Sequence, residues 1–565
     1  RLSMCDLANA ALESGFSACQ LPISVSKPRS ILSTDTNSLL ALERGTESVV
    51  YLYDTDNGGM PDEKRTVASA SGLTHGLAIQ NGYIYASSDT TVYRWPYEGD
   101  YVVNGDVEIV VVNMNADGNG GAPRGHWTRT LIFDDKGYLY ISVGSNDNVD
   151  PDSHRSRIRR VVLDNSSLPV DFQTMEVFAD GLRNEVGLAF DSHGDLWGVE
   201  NGADNLYRSD LGGDIHQDNP AEELNRFKEE DAGKHWGYPY CWTEFKLPEP
   251  PGKGNGVAWA WPSFLNSGAI TDEQCRQDYV PAVVSMQGHS APLGITFYNW
   301  KSRAELPEEC GEWTAFPKDM DGYAFIAHHG SWNRDIPTGY KAVYVPMDSD
   351  GNPTSGAIDL LAHEPPNANW DNGFRPVDVS FDDCGRLFLS SDGTRGRGSS
   401  IVRIEYTENG KPDTALPSSL PSAAPSELTS PPTFLASDPP TFFPTSDPPS
   451  SKPSQTPSME NSLNPTDAET TPPTPNPTTP PTSNPTAPPS ANPTPRPSIA
   501  PSLTPSNSIS SNVPTSIPAK ATNATACGDN NPCEFSSGIR SFGGTTESLQ
   551  LFTLVTVTML WMIGR

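Results

Sequence analysis

The stretch GLRNEVGLAFDSHGDLWGVENGADN, residues 181–205, contains the pattern that decides the fold. Val186, Leu188 and Phe190 alternate with smaller residues, residues 192–195 (SHGD) supply turn formers, and residues 196–199 (LWGV) return as a second apolar run. This alternation predicts an antiparallel β-hairpin. A hairpin alone does not require the polar side chains and bare Gly-Ala backbone that flank it, which are Arg183, Asn184, Asn201, Gly202, Ala203 and Asp204.

Five other segments repeat this hairpin. They begin near residues 30, 75, 129, 293 and 376, and the fifth copy is interrupted between LGITFYNW and GYAFIAHHGSWNR. Six antiparallel units predict an all-β chain folded as a six-bladed β-propeller. A two-sheet sandwich is the alternative, and the repetition favours the propeller. Helical periodicity is scarce, and PAEELNRF, residues 220–227, is the best candidate for a short helix.

Composition divides the 565 residues into four segments. Residues 1–410 mix apolar, aromatic and charged residues as a packed domain does. Residues 411–520 are mostly Pro, Ser and Thr, which predicts a disordered stalk. Residues 521–537 form a small segment with two cysteines, and residues 538–565 end in a short apolar tail. The formal net charge of −32 argues against a nucleic-acid partner.

Eight cysteines without CxxC or zinc-finger spacing predict disulfides rather than a zinc site. Proximity in sequence suggests that Cys5 pairs with Cys19 and Cys527 with Cys533. The pairing of the other four stays open, and these are Cys241, Cys275, Cys310 and Cys384.

The C-terminal sequence LQLFTLVTVTMLWMIGR is apolar over about residues 549–563, short for a membrane-spanning helix of roughly 20 residues. Small residues at 536–538 and a mostly polar spacer precede it, which is the pattern of a GPI-attachment signal. A short membrane anchor and a packed helix are the alternatives. Glycosylation acceptors at Asn165 and Asn523, and a first residue other than Met, predict a secreted glycoprotein that a lipid anchor holds at the cell surface.

Cations and imidazoles recur at the junctions between repeats, which is unusual in so acidic a chain. Guanidinium groups recognise carboxylates with two parallel hydrogen bonds. The junctions therefore predict a channel mouth that binds a small, planar, multiply anionic ligand. The junction residues are Arg29, His75, His126, Arg129, Arg183, His328, His329, Trp332, Arg334 and Arg375.

The segment Asn201-Gly202-Ala203-Asp204 predicts a calcium site at the same mouth. Calcium binds carbonyl and carboxylate oxygens, and small residues leave backbone carbonyls unobstructed. A plain turn after a strand is the alternative reading of this segment.

Seven ordered motifs make the chain resemble the soluble quinoprotein sugar dehydrogenases. This is the glucose/sorbosone dehydrogenase family, and the resemblance is strongest to its secreted eukaryotic pyranose dehydrogenase branch. It covers about residues 27–406 and rests on HGLAI, GHWTRTLIF with ISVGSNDN, GLRNEVGLAF, VENGADN with DNPAEELNRF, HWGYPYCW, HHGSWNR and RPVDV. It implies a six-bladed propeller that binds pyrroloquinoline quinone beside a calcium ion.

The resemblance also implies roles for individual residues. His126 matches the catalytic base, and Arg183 matches a quinone contact that stabilises the oxyanion growing on the cofactor. The calcium-binding backbone pair falls on Gly202 and Ala203, and the 201–204 segment itself adds Asp204. Other cofactor contacts fall on Arg29, Asn146, Asn184, Arg334 and Arg375, and the junction pattern adds His329 and Trp332.

The implied reaction oxidises the anomeric carbon of a pyranose, or of a related aldose or ketoaldose, to the lactone or acid. His126 accepts the hydroxyl proton, hydride passes to the calcium-activated quinone, and electrons leave to an external acceptor such as a haem protein. His75, His328 and His329 are rival bases. Two other classes stay open, a calcium-dependent lactonase-like hydrolase and a non-catalytic surface propeller that binds glycans or partner proteins.

Overall fold

The computed structural model describes residues 7, 9–56, 58–99, 106–115, 125–151, 154–310, 315–365 and 369–406. The stalk, Asn523, the Cys527–Cys533 loop and the anchor signal lie outside these residues, so the expectations for residues 411–565 stay predictions. Within the described ranges, no helix combines the length and apolar character that crossing a membrane requires.

The strands of the described chain form six antiparallel blades. Two strands precede blade 1, and the series to the end of blade 2 is β1 (Ala10–Leu12), β2 (Phe16–Gln20), β3 (Pro28–Ser33), β4 (Leu39–Glu43), β5 (Ser48–Tyr53), β6 (Glu63–Ser69), β7 (Leu73–Gln80), β8 (Tyr83–Ser88), β9 (Val92–Pro96) and β10 (Glu108–Val112). Blade 1 has the strand order β3-β4-β5-β6, and blade 2 the order β7-β8-β9-β10.

Blade 3 has the order β11-β12-β13-β15, while β14 extends the outer edge of blade 2. These strands are β11 (Leu131–Phe133), β12 (Tyr138–Val143), β13 (Arg157–Val162), β14 (Val170–Asp171) and β15 (Glu176–Asp180). Short 3-10 helices accompany the blades at Asn165–Ser167, Phe172–Thr174, Glu229–Asp231, Glu308–Cys310 and Lys318–Met320.

Blade 4 contains the opening hairpin and has the order β16-β17-β20-β23. Two small hairpins, β18-β19 and β21-β22, and two short helices are inserted between its strands. In chain order the elements are β16 (Glu185–Phe190), β17 (Leu196–Glu200), β18 (Tyr207–Arg208), β19 (Gly213–Asp214), β20 (Glu222–Phe227), β21 (Cys241–Thr243), β22 (Ala258–Ala260), α1 (Pro262–Ser267), α2 (Asp272–Gln277) and β23 (Val284–Met286).

The last two blades complete the ring. Blade 5 has the order β24-β25-β26-β27-β1, and blade 6 the order β28-β29-β30-β2. Their strands are β24 (Pro292–Phe297), β25 (Ala324–His328), β26 (Lys341–Val345), β27 (Ile358–His363), β28 (Pro376–Phe381), β29 (Leu387–Thr394) and β30 (Arg397–Tyr406). The innermost strands contact one another in the cyclic order β3, β7, β11, β16, β24, β28. The predicted six-bladed propeller is confirmed.

The N-terminal strand closes the ring. β2 is the outer strand of blade 6, where Ala18 lies opposite Ile404 of β30. Ala18 and Ile404 are buried in a core between blades 5 and 6 that also contains Phe316, Phe325 and Leu389. Cys19 of β2 is disulfide-bonded, while Cys5 lies outside the described residues.

The structure also settles points that the sequence left open or predicted wrongly. The remaining cysteines pair as Cys241–Cys275 and Cys310–Cys384. PAEELNRF is not a helix, because residues 222–227 form β20 and hydrogen-bond on both sides, to β17 and β23. This pairing overrides the helical propensity of its glutamates and leucine. A helix does form further along the chain, at α2, where a capping box between Thr271 and Gln274 stabilises its first turn.

Closure by β2 makes the interior of blade 6 critical for stability. We expect Ile404→Ala to lower the free energy of unfolding by about 2–5 kcal/mol, because it leaves a cavity in a fully buried cluster. Val162→Ala is the matched control, since Val162 is 53% exposed on β13 and should cost less than about 0.5 kcal/mol. Chemical denaturation of both variants measures the difference, and equal losses would contradict this account of the core.

Candidate functional site

A cavity of about 370 Å³ opens where the inner strands begin, at one mouth of the central channel. Its volume lies in the range of small-molecule pockets. It brings together most of the residues predicted to bind the cofactor or calcium, namely Arg29, His126, Arg183, Asn184, Gly202, Asp204, His329, Trp332 and Arg375. The antiparallel blades explain this convergence, because the start of an inner strand and the end of the strand that follows it lie at the same rim.

Three of the residues predicted to contact the cofactor or calcium lie outside this cavity. Asn146 is exposed, and its backbone N–H donates to Asp150 Oδ2 at 2.7 Å. Arg334 turns away to form an ion pair with Asp218 at 3.0 Å. Ala203 is buried and lines a separate cavity of about 40 Å³ behind the loop.

The hydrogen bonds of His126 define which ring nitrogen can accept a proton. Its Nδ1 lies 3.0 Å from Ser145 Oγ and 3.2 Å from Ser145 O. The Ser145 hydroxyl already donates to Asp147 O at 2.7 Å, so both oxygens act as acceptors towards the ring. Nδ1 therefore carries the proton and Nε2 carries the lone pair.

Burial, together with the charges of Arg183, Arg155 and Arg129, holds the pKa of His126 well below its usual value of 6.5. The imidazole is therefore neutral at neutral pH, and it stays neutral well into the acidic range. This is the protonation state that a general base needs.

The rival histidines occupy different places. His75 accepts a hydrogen bond from Arg29 Nε at 3.3 Å and lines the lower channel, a cavity of about 480 Å³. His328 is buried in β25 against Ser290 Oγ at 2.8 Å. His329 does line the upper cavity, and its Nδ1 donates to Pro376 O at 2.9 Å. Burial lowers the pKa of His329 to about 4.

One side of the cavity is cationic. Arg29 is almost fully buried and forms an ion pair with Asp392 at 2.8 Å. Arg375 donates to the carbonyls of His329 at 3.1 Å and Gly330 at 2.9 Å. A further arginine, Arg44, stacks 3.9 Å above the ring of Trp127 in the cavity wall. These guanidinium groups outnumber Asp392, so this side is suited to an anionic ligand.

The other side of the cavity is built around the 201–204 loop. Arg183 Nη1 donates to Gly202 O at 2.6 Å and to Asn201 O at 3.1 Å. Its Nη2 bonds to Asp204 Oδ2 at 3.0 Å and to Asn148 Oδ1 at 2.9 Å, and its Nε donates to Asn148 O at 3.2 Å. All five donors of this buried guanidinium are therefore engaged within the protein.

Besides Asn148, sequence reasoning missed two residues at this side. Glu222 is buried and accepts hydrogen bonds from Gly202 N at 2.7 Å and Ala291 N at 3.1 Å. His289 Nδ1 lies 3.5 Å from Asp204, and its Nε2 lies 2.6 Å from His216 O. The motif DNPAEELNRF contained Glu222, and alternation along β20 could have placed it inside, but His289 has no comparable signal.

Two glycines allow the close approach of these groups. A Cβ at Gly144 would lie 2.6 Å from Asn184 Oδ1 and 2.8 Å from His126 Cβ, and a Cβ at Gly202 would lie 2.7 Å from Ala221 O. Asn184 Oδ1 is buried and has no hydrogen-bond partner in the described chain. A buried oxygen of this kind is available to a donor on a ligand.

The fold and the cavity define a propeller with an enzyme-like small-molecule site, and comparison with known proteins identifies its family. A family model described as TrAA12-like matches residues 10–402. A pyrroloquinoline quinone-dependent sugar dehydrogenase from Hypocrea jecorina (strain QM6a) is 32% identical over 421 residues, covering 68% of this chain and 87% of that protein. A pyrroloquinoline quinone-dependent pyranose dehydrogenase from Coprinopsis cinerea is 29% identical over 432 residues, covering 69% of this chain and 54% of that protein.

Solved structures agree with this assignment. The calcium structure of a Trichoderma reesei enzyme of Carbohydrate-Active Enzymes Family AA12 superimposes with a TM-score of 0.60 at 29% identity, covering 72% of this chain and 98% of the other. The holo form of the pyranose dehydrogenase PQQ domain from Coprinopsis cinerea gives a TM-score of 0.59 at 27% identity, with coverage of 70% and 97%. The chain belongs to the TrAA12-like family and is an oxidoreductase of the quinoprotein sugar dehydrogenase type. This decides among the three function classes that the sequence left open.

Proposed function

We propose that the chain oxidises the anomeric carbon of a pyranose, or of a related aldose or ketoaldose, with pyrroloquinoline quinone and calcium as cofactors. The observation that carries the proposal is the polarity of the cavity. Arg29 and Arg375 lie on one side, whereas the carbonyl of Gly202 and the acidic side chains of Asp204 and Glu222 lie on the other, where Arg183 bonds to Gly202 and Asp204. A planar tricarboxylate bound beside a divalent cation matches this division of charge.

The residues present fit both cofactors. Arg29 and Arg375 would hold carboxylates of the quinone, and the unpartnered Asn184 Oδ1 would accept a hydrogen bond from it. Gly202 and Ala203 would offer backbone carbonyls to calcium, with carboxylate charge from Asp204. Oxygen donors of this kind are the ligands that calcium prefers. Trp332, which is 74% exposed at the rim, is available for stacking on a bound ring.

In the proposed mechanism the unprotonated Nε2 of His126 is the proton acceptor. The anomeric hydroxyl donates its proton to that atom, the anomeric C–H bond breaks with hydrogen leaving as hydride, and the C=O bond of the lactone forms. The quinone, when bound, supplies the two-electron acceptor for that hydride. Ser145 fixes the ring and its tautomer during the transfer. Burial, together with the charges of Arg183 and its neighbours, keeps the imidazole neutral and ready to accept the proton.

Electrons then pass to an external acceptor, for which a haem protein is one suitable class. We also propose that the chain is a secreted glycoprotein with its propeller in residues 1–410, carried on the stalk of residues 411–520 above a GPI attachment near residue 538. The composition of these segments supports this arrangement.

We expect His126→Gln to lower kcat by on the order of 10²–10⁴ while the fold and the bound quinone's absorption spectrum survive. In the parent enzyme activity should fall as pH drops through the lowered pKa of His126, because the protonated ring cannot accept a proton. That acidic limb should lie well below pH 6.5 and disappear in the variant. Steady-state assays with an artificial acceptor dye measure both effects. If the variant keeps more than about a tenth of kcat, the base is elsewhere, and His329→Gln becomes the next test.

We expect Arg375→Met to weaken quinone binding by roughly 1.5–3 kcal/mol, the usual contribution of a hydrogen bond to a charged group. Calorimetric titration of the protein with the quinone in excess calcium measures the change. Arg276→Met is the control, because Arg276 pairs with Glu273 on α2 and does not line the cavity. Absence of quinone uptake by the parent protein at every calcium concentration would overturn the proposed function.

The lipid anchor has its own test. If residues beyond about 538 are an attachment signal, phosphatidylinositol-specific phospholipase C should release the protein from the cell surface into the medium. Detection of the peptide LFTLVTVTMLWMI in the mature protein would contradict the anchor.

A further inference from the structure

The guanidinium of Arg183 uses the oxygens that the proposed calcium ion also needs. It donates to Gly202 O at 2.6 Å and pairs with Asp204 Oδ2 at 3.0 Å. We propose that Arg183 competes with calcium for this loop and thereby makes calcium binding depend on the quinone. This inference rests on the proposed function, since it describes how the two cofactors of that site regulate one another.

The first step of the argument is electrostatic. Arg183 is buried, and a calcium ion bound to Gly202 O and Asp204 would be a second cation against the same oxygens. Like charges at close range repel strongly where water is excluded. Calcium alone must therefore either displace the guanidinium or bind against its charge, and both lower the affinity for calcium.

The second step concerns the donors that Arg183 would give up. All five are engaged, with Asn148, Asn201, Gly202 and Asp204 as acceptors. Breaking the bond to Gly202 O leaves a buried donor unpaired, which is costly unless a new acceptor is present. The quinone and carboxylate oxygens of the cofactor are such acceptors. Binding of the quinone therefore removes the penalty, and calcium binds more tightly.

The direction of the effect separates this role from two simpler ones. A purely structural brace predicts that loss of Arg183 loosens the 201–204 loop and weakens calcium binding. A residue that contacts only the quinone predicts no change in calcium affinity when the quinone is absent. Competition alone predicts tighter calcium binding in the absence of quinone, because the rival cation is gone and Oδ2 of Asp204 has lost its ion pair with Arg183.

The experiment is calorimetric titration of the chelator-treated full chain with calcium, first without quinone and then with saturating quinone. For Arg183→Met we expect calcium affinity without quinone to rise about fivefold or more, the lower end of typical coupling between two sites. The ratio of the two calcium affinities, with and without quinone, should shrink correspondingly. Arg183→Gln removes the same charge but keeps a polar side chain, so it gives the same test if Arg183→Met fails to fold.

Two control variants separate charge from general damage to the cavity. Arg183→Lys keeps the positive charge and should retain weak calcium binding without quinone. Arg375 is an arginine of the same cavity that bonds to His329 O and Gly330 O instead of the 201–204 loop. Arg375→Met should therefore leave calcium affinity without quinone unchanged, while it weakens binding of the quinone.

The possible failures are distinguishable. If the parent protein binds no calcium with or without quinone, the calcium component of the proposed function is wrong. If the parent binds calcium with quinone, but neither Arg183→Met nor Arg183→Gln binds calcium more tightly than the parent without quinone, the competition is wrong and the proposed function stands.

Discussion

Closure of the ring is the constraint on which the rest of the structure depends. Blade 6 takes its outer strand from residues 16–20 and its other strands from residues 376–406, so neither end of the domain is complete alone. Hydrogen bonds also join blade 6 to blade 1 near the channel: Ile31 N donates to Asp378 Oδ2 at 2.9 Å, and Ser390 Oγ donates to Arg29 O at 2.8 Å. Closure therefore brings Arg29 and Asp392, 363 residues apart, into one ion pair beside the cavity.

The same closure concentrates positive charge in an acidic protein. The formal net charge is −32, yet buried guanidinium groups line the mouth of the channel. A buried charge is tolerated only when it is paired and hydrogen-bonded. Arg375 meets backbone carbonyls, Arg29 meets Asp392, and Arg183 meets a carboxylate and several carbonyls. The protein thus holds its binding groups in place before any ligand arrives, which reduces the entropy that binding must overcome.

The features that the sequence predicted correctly are those that neighbouring residues determine. The hairpin at residues 185–200 could be predicted because a strand alternates with period two and Gly194 takes the positive φ that its turn requires. Arg183, Asn184 and Arg375 could be placed at the rim because each precedes an inner strand. In contrast, Asn148, His289 and Asp392 enter the site through contacts between distant segments, and no spacing in the sequence encodes those contacts. The strand at residues 222–227 was mistaken for a helix for the same reason, since its pairing partners lie in other segments.

The two histidines of the cavity show how partners distinguish chemically identical groups. Both donate from Nδ1 to a protein oxygen, so both carry their lone pair on Nε2. The Nε2 of His329 faces Asp392 Oδ1 at 3.7 Å, a carboxylate that draws any proton on that nitrogen into an ion pair. Burial favours the neutral form of both rings; at His126 the charges of Arg183, Arg155 and Arg129 act in the same direction, whereas at His329 the charge of Asp392 acts against it. A base that must take a proton from substrate and then release it is better served by the environment of His126, and this supports the proposal that His126, not His329, is the base.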